Sequence, residues 1–383
     1  MTTAPTSASN WPRLALFVSF SGTGGVERVT LNLLQGLARF PVHVDLLTVV
    51  ARRGQAPQVD WPNVRVVPFK TRHSQLAIPE LVHYLRKENP DVLMVAKDRA
   101  VRASILAHAW SGTATRLVGQ LHMNMQGYLA NQPWYARWPR TLPMRLLFPR
   151  LDLIIGVSEG VRKDTLELTG MPEDRVIAIK NPVITPEMDA QGRAPCPHPW
   201  LADSATVPVI VAAGRLTPEK DFPTLIRAFR RLREQRPARL LVLGEGPLEA
   251  SLKSLIETLH LKEEVDLVGF QANPFAFMSR AALFAMTSAW EGSGNVLVEA
   301  LAFGVPCVST DCPYGPRETL VDGRYGPLVP VGDDAALAEA MLRTLDQPLP
   351  PTQLLEAVTD FRIETSAYHY LRALFPGHHW QRP

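Results

Sequence analysis

Short apolar runs alternate with helical patterns along this chain, and they do so in two series separated by a proline-rich break. In the first series Leu14 to Ser19, His43 to Val50, Val64 to Phe69, Asp91 to Ala96, Arg116 to Leu121, Leu153 to Val157 and Arg175 to Ile179 read as strands. Val26, Val29, Leu33, Leu34 and Leu37 recur at helical spacing, and Pro79 to Glu88 and Glu159 to Leu168 also read as helices. Such alternation folds into a mostly parallel sheet with helices on both faces. Pro182 to Val207 carries Pro182, Pro186, Pro195, Pro197 and Pro199 among small and polar residues and reads as an interdomain linker. The alternation restarts at Val209 to Ala213, and the tail from Leu354 to Leu374 reads as helical. The expected fold is therefore α/β, with two doubly wound Rossmann-like domains, residues 1–182 and 183–360, facing across a cleft of the kind that holds small molecules.

Within the second series, Trp290-Glu-Gly-Ser-Gly-Asn-Val-Leu-Val-Glu299 follows a strand-like run and opens a helix expected over Asn295 to Phe303. Gly294, Asn295 and Val296 put small or modest side chains in its first turn, so their backbone N–H groups are free to meet an anion. Glu291 and Glu299 bring two carboxylates to the same helix start. That combination suits a nucleotide sugar, whose diphosphate faces the amides and whose hydroxyls face the acids. Upstream, Gly214-Arg215-Leu-Thr-Pro-Glu-Lys220 offers two cations directly after the strand Val209 to Ala213, where they can neutralise a diphosphate. Both clusters lie at C-terminal strand ends, the edge at which open α/β sheets bind ligands.

The Arg-x4-Lys pair (Arg215, Lys220), the Glu-x7-Glu pair (Glu291, Glu299) and the early loop Gly24-Gly25-Val26-Glu27 together resemble the retaining glycosyltransferases of the GT-B fold, family GT4, over most of residues 14 to 345. The resemblance implies a first domain that binds the acceptor, a second that binds the nucleotide sugar, and a terminal helix, residues 361–383, that crosses back to the first. It implies that Glu291 orients the donor sugar, Glu299 holds the ribose, Gly24 and Gly25 lie near the donor phosphate, Gly246 and Phe270 flank the nucleotide, and His122 touches the donor sugar. It further implies transfer of a hexose or N-acetylhexosamine, from a UDP-sugar by preference, with retained configuration. No metal or other cofactor is expected, since cations and a helix start take a metal's place and the chain has no Asp-x-Asp motif. Asp311-Cys-Pro-Tyr-Gly-Pro-Arg317-Glu318 looks like a form found in relatives that build bacterial surface glycans, which makes a saccharide or lipid-linked saccharide the expected acceptor. A nucleotide-sugar epimerase of similar fold and a non-catalytic nucleotide-sugar-binding protein are the competing classes.

Gly22-x-Gly24-x-x-Glu27 fails the dinucleotide fingerprint, which needs glycine where Glu27 stands. Cys196, Cys307 and Cys312 have neither metal-ligand spacing nor even pairing, as in a reducing cytoplasm. No apolar run reaches the roughly 18 residues of a membrane span, and Met1 to Pro12 lacks the marks of a leader.

Net charge is +3, but the charge is unevenly placed: from Arg99 to Leu151 there are seven arginines and no Asp or Glu. At its centre Arg137, Arg140 and Arg145 interleave with Trp134 and Trp138, which suits an anionic membrane surface. A partly buried segment with solvated arginines gives the same pattern. No nucleic-acid motif accompanies the patch, so nucleic acid is not an expected partner. The expected location is cytoplasmic and peripheral, at the inner membrane face.

Overall fold

The computed structural model describes residues 11–20, 24–50, 57–71, 73–122, 125–130, 133–202 and 206–382. The chain divides into two compact units, one comprising Met1–Pro182 with Ile363–Pro383 and the other Val183–Arg362.

The first unit holds β1 (Arg13–Phe20), β2 (His43–Val50), β3 (Val64–Pro68), β4 (Val92–Ala96), β5 (Arg116–Leu121), β6 (Leu153–Gly156) and β7 (Val176–Ala178). They form one parallel sheet in the order β3-β2-β1-β4-β5-β6-β7. The sequence moves outward from β1 to β3, then resumes on the other side of β1, so strand order reverses between β1 and β4. Successive residues of β1 serve opposite faces: Ala15 and Phe17 join one buried cluster, and Leu14, Leu16 and Val18 join the other. Burial on both faces explains why these strands are nearly unbroken apolar runs.

The final helix, Ile363–Leu374, belongs to this unit. It packs against the helix Gly25–Leu37 at Gly36, where an added Cβ would stand 2.5 Å from the Ile363 carbonyl oxygen. Arg116 donates from Nη1 to the carbonyls of Ala373 and Leu374, each at 2.8 Å, satisfying acceptors at the helix end.

The second unit repeats the plan with β8 (Val209–Ala213), β9 (Arg239–Leu243), β10 (Val265–Gly269), β11 (Leu283–Met286), β12 (Cys307–Thr310) and β13 (Leu328–Val329), in the order β10-β9-β8-β11-β12-β13. Its reversal falls between β8 and β11. The expected linker over Pro182 to Val207 is corrected here: much of it is packed structure. Val183, Met188 and Leu201 enter the core, and a short helix, Met188–Arg193, lies so close to Phe303 that a Cβ on Gly192 would meet that ring at 2.5 Å. Asn273 Nδ2 and Ser279 Oγ donate to the carbonyls of Gln191 and Gly192, each at 2.8 Å. Proline density interrupted the periodicity without freeing the segment from the core.

Candidate functional site

In the second unit the loops after β8 and β11 leave the C-terminal edge of the sheet where strand order reverses, the place at which open α/β sheets hold ligands. Lys220, on the first loop, donates from Nζ to Oε1 of Glu291 on the second. Ser288 Oγ donates to the same oxygen at 2.7 Å. Two further bonds hold the loops together: Thr287 Oγ1 donates to the Lys220 carbonyl at 2.9 Å, and Ala289 N donates to the Glu219 carbonyl at 2.8 Å. Lys220 and Glu291 are mostly buried, whereas the Arg215 side chain is 79% exposed and bonds only distantly to Glu219, at 3.4 Å. Arg215 is thus the outer cation of the pair and Lys220 the inner one.

Neighbouring loops stack directly on this one. Gly244 has φ of 134°, and a Cβ there would stand 2.0 Å from the Gly214 carbonyl oxygen; at Gly246 the Leu216 carbonyl oxygen would be 2.5 Å away. Neither position admits a side chain while the backbones remain bonded, Leu216 N to the Glu245 carbonyl and Gly244 N to the Gly269 carbonyl. Phe270 is exposed at the end of this ledge, its N–H directed at Glu245.

Gly294 caps the helix Asn295–Leu301 in the left-handed region, at φ 70°, with no side chain bonded across the first turn. Asn295 and Val296 are half-buried in that turn, and Glu299 is buried at 4% exposure. The helix ends two residues before the expected Phe303, because the chain turns at Gly304, φ 69°. The segment after β12 closes the other side: Glu291 N donates to the Pro313 carbonyl at 3.4 Å, and Gly315 lies against Ser293, where a Cβ would meet backbone at 2.7 Å. Burial, with the Glu291 charge adding to it, pushes the Cys312 thiol up to about 12, so it is a packing group beside the acid.

The first unit has its own cavity, about 590 Å³, at the C-terminal ends of β1, β4 and β5. His122 lines it. Burial, and then the nearby Lys97 charge, push His122 down to about 4, with Glu27 opposing. Among the described residues its Nε2 has no hydrogen-bond partner. Gly24 caps the helix that follows β1; a Cβ on it would collide with Glu27 Oε2 at 2.2 Å, while one on Gly25 would meet none of the described atoms within 4 Å. Ser21 to Thr23, the start of the expected turn, lie outside the described residues.

The arginine-aromatic stretch forms a helix, Trp134–Leu147, despite Pro139 and Pro143 inside it. One side is sealed: Met144 is buried and faces the cavity. Trp134 (76% exposed), Tyr135, Trp138 (66%), Leu142 and Leu146 are exposed, as are Arg137 and Arg145. Arg145 nonetheless uses Nε to bond the Leu168 carbonyl at 3.2 Å. The Arg140 side chain lies outside the described residues.

Two family models divide the chain along the same lines as its folded units: "Glycosyltransferase Family 4" matches residues 23–186, and "Glycosyl transferases group 1" matches residues 202–360. The chain belongs to glycosyltransferase family 4 and has the GT-B fold. This glycosyltransferase is 27% identical over 340 residues, covering 87% of it and 90% of the relative, to the N-acetylgalactosamine-N,N'-diacetylbacillosaminyl-diphospho-undecaprenol 4-alpha-N-acetylgalactosaminyltransferase of Campylobacter jejuni. It is 29% identical over 338 residues to the lipopolysaccharide core biosynthesis glycosyltransferase LpsE of Rhizobium meliloti, covering 86% of each chain. Among solved structures, the lipopolysaccharide outer core galactosyltransferase WaaB shares its fold with a TM-score of 0.72 at 18% identity, covering 96% of this chain and all of that one. Anabaena HepE in complex with UDP does so with a TM-score of 0.72 at 20% identity, covering 95% and 99%.

For the glycosyltransferase, the sequence motifs had not revealed two contributors. Ser288, at the C-terminal end of the strand run, shares an oxygen of Glu291 with Lys220. Lys97, directly after β4, bonds Glu27 at 2.8 Å from seventy positions away. Placement at a C-terminal strand edge was the available signal for both. Among the described residues no helix is long and apolar enough to cross a membrane.

Proposed function

We propose that the enzyme transfers a hexose or N-acetylhexosamine from a UDP-sugar to a saccharide or lipid-linked saccharide during surface-polysaccharide assembly, with retention and without a metal. The observation that carries this reading is the Lys220–Glu291 pair at the second unit's strand reversal, with Arg215 outside it and the Gly294–Val296 amides on the same loop and helix start. Arg215, Lys220 and those amides take the diphosphate. Glu291 has both donors on Oε1, so Oε2 is offered to a sugar hydroxyl. Glu299 serves the ribose, and Gly246 and Phe270 flank the nucleotide.

In the reaction the bond from the anomeric carbon to the diphosphate oxygen breaks, and an acceptor hydroxyl oxygen bonds to that carbon on the same face. The hydroxyl proton leaves with the diphosphate. Charge on the departing diphosphate is the main electrostatic demand, and preorganised cations and amides meet it without reorganising. In this reading His122 serves the donor sugar, and Gly24 and Gly25 serve the donor phosphate and the acceptor.

The exposed helix favours a lipid-linked acceptor. Its buried Met144 walls the cavity while Trp134, Trp138, Arg137, Arg140 and Arg145 belong to the segment proposed to rest on an anionic inner-leaflet surface. Names of relatives support the same assignment: one acts on a diphospho-undecaprenol acceptor, and another serves lipopolysaccharide core biosynthesis.

Melting temperatures across a panel of UDP-, GDP- and ADP-sugars test the donor assignment, because ligand at 100 times its dissociation constant adds about 2.7 kcal/mol of stability. A rise with UDP-sugars above the others is expected; no rise with any of them sinks the reading. Turnover of the best donor with and without a polyprenyl-diphosphate saccharide, in chelator, tests acceptor and metal together. Isomerisation of the donor alone would assign an epimerase instead.

A further inference from the structure

Seven of the twelve large apolar side chains that stand exposed among the described residues sit on two helices, Asp98–Ser111 and Trp134–Leu147. These helices pack against each other on one face of the first sheet, where Ile105 of one and Met144 of the other enter the same core cluster. Their outer sides therefore make one surface, and an apolar surface left open on a folded unit marks a contact. Trp134, Trp138, Leu142 and Leu146 recur every four residues along one helix, and Met144, two positions from Leu142, lies on the opposite side. On the neighbouring helix Leu106 and Trp110 make the same one-turn step, and Trp110 is 63% exposed. Both helices are 14 residues long and both run away from the C-terminal edge of the sheet. Leu106 and Trp110 thus hold the places along one helix that Leu142 and Leu146 hold along the other.

The surface is cationic as well as apolar. From residue 99 to residue 151 there is no Asp or Glu, and Arg137, Arg145 and Arg150 are exposed. Arg86, on the helix Ile78–Glu88, donates to the carbonyls of Trp110 and Ser111 at 2.7 and 3.2 Å, which places a guanidinium beside the second stripe. Asp98, the nearest preceding acid, is tied to Arg102 at 2.8 Å. A second copy of the chain fits this face poorly, because a two-fold contact would set arginines against arginines. An anionic bilayer answers both features: tryptophan rings lie at the headgroup level and guanidinium groups meet lipid phosphates.

We infer that the membrane-contacting surface of the first unit is two helices wide, with Leu106 and Trp110 forming a second line of anchors beside the stripe from Trp134 to Leu146, and that an anionic lipid bilayer covers it. This rests on the reading that the helix Trp134–Leu147 lies on such a bilayer. One helix alone touches a bilayer along a single line, about which the unit can roll. A second line, roughly 8–10 Å away at the spacing of packed helices, stops that rotation. The first unit's cavity is walled by Asp98, Arg99 and Ala100 at the start of one helix and by Met144 of the other, so the same two contacts hold the cavity at one attitude to the bilayer.

Flotation of the full chain with vesicles of phosphatidylcholine, with and without phosphatidylglycerol, tests this. Leu106→Ser combined with Trp110→Ser is expected to weaken binding to the anionic vesicles at least about tenfold, with the melting temperature held at the wild-type value because both side chains are exposed. Trp110→Ser alone is expected to lose at least about threefold, and it carries the test should the double variant melt lower. Wild-type binding by these variants overturns the proposal. The underlying reading then stands if Trp134→Ser with Trp138→Ser still loses binding, and falls too if that pair also binds like the wild type. An equal loss in Leu355→Ser, an exposed apolar side chain of the second unit, overturns the proposal as well, since the effect then belongs to no particular face. Sedimentation velocity gives the remaining outcome: a self-associated wild type that the Leu106 and Trp110 changes dissociate assigns the patch to a second copy and overturns the bilayer.

Discussion

Lys220 and Glu291 are joined by a hydrogen bond from Nζ to Oε1 although 71 positions separate them, and that bond links the loops after β8 and β11 where the strand order reverses. The pair holds a cation and an acid together before any donor arrives. On the proposed reading, the phosphates and the hydroxyls of a diphosphate sugar meet groups already fixed in place.

Replacing Lys220 by Met removes the inner cation of a preorganised set. Turnover is expected to fall by on the order of 10² to 10³, with folding retained. Steady-state kinetics beside a thermal melt check this; a loss below tenfold assigns Lys220 to structure alone.

Glu291→Gln keeps the shape but exchanges an ionised acceptor for a neutral one. A hydrogen bond to a charged group contributes about 1.5–3 kcal/mol, so kcat/KM is expected to drop roughly 10- to 100-fold. Binding of free UDP, measured by calorimetry, should stay within about threefold, because the acid is assigned to the sugar rather than to the phosphates.

Acidification should destabilise the first unit through His122. Its folded value lies near 4 against an ordinary 6.5, so between those pH values the unfolded chain binds more protons than the folded one. Stability is therefore fully present above 6.5 and lost as pH falls toward 4, by at most roughly 3 kcal/mol. Urea midpoints measured across that range should flatten in His122→Asn. A slope that survives the substitution traces to other groups.

Gly244→Ala puts a Cβ on the Gly214 carbonyl oxygen at a position with φ of 134°. A loss of about 1–3 kcal/mol is expected, read as a lower melting temperature. Gly25→Ala, where a Cβ meets none of the described atoms within 4 Å, should melt like the wild type.

Trp134 and Trp138 expose most of their rings, so changing both to Ser should leave the melting temperature nearly unchanged. Binding to vesicles with anionic lipid is expected to weaken at least about tenfold, since each ring contributes on the order of 1–3 kcal/mol when buried. Unchanged vesicle binding would remove the membrane surface from the proposal and leave the transferase standing.

What the sequence settled by itself was whatever depends on local spacing. Alternating strand and helix periods fixed two doubly wound units, and strands such as β2 and β5 run over the residues the pattern marked, because a strand buried on both faces is mostly apolar. The Arg215 to Lys220 and Glu291 to Glu299 spacings likewise put charge at strand ends. Local spacing misread other segments. Prolines disguised the helix Trp134–Leu147, and the segment from Pro182 to Val207 looked detachable although it packs against Phe303. Only the tertiary structure brought Ser288 and Lys220 to one oxygen of Glu291, or Lys97 to Glu27. Such meetings depend on which strands become neighbours at a reversal of order, and that is decided by packing helices on both faces of the sheet rather than by any period along the chain.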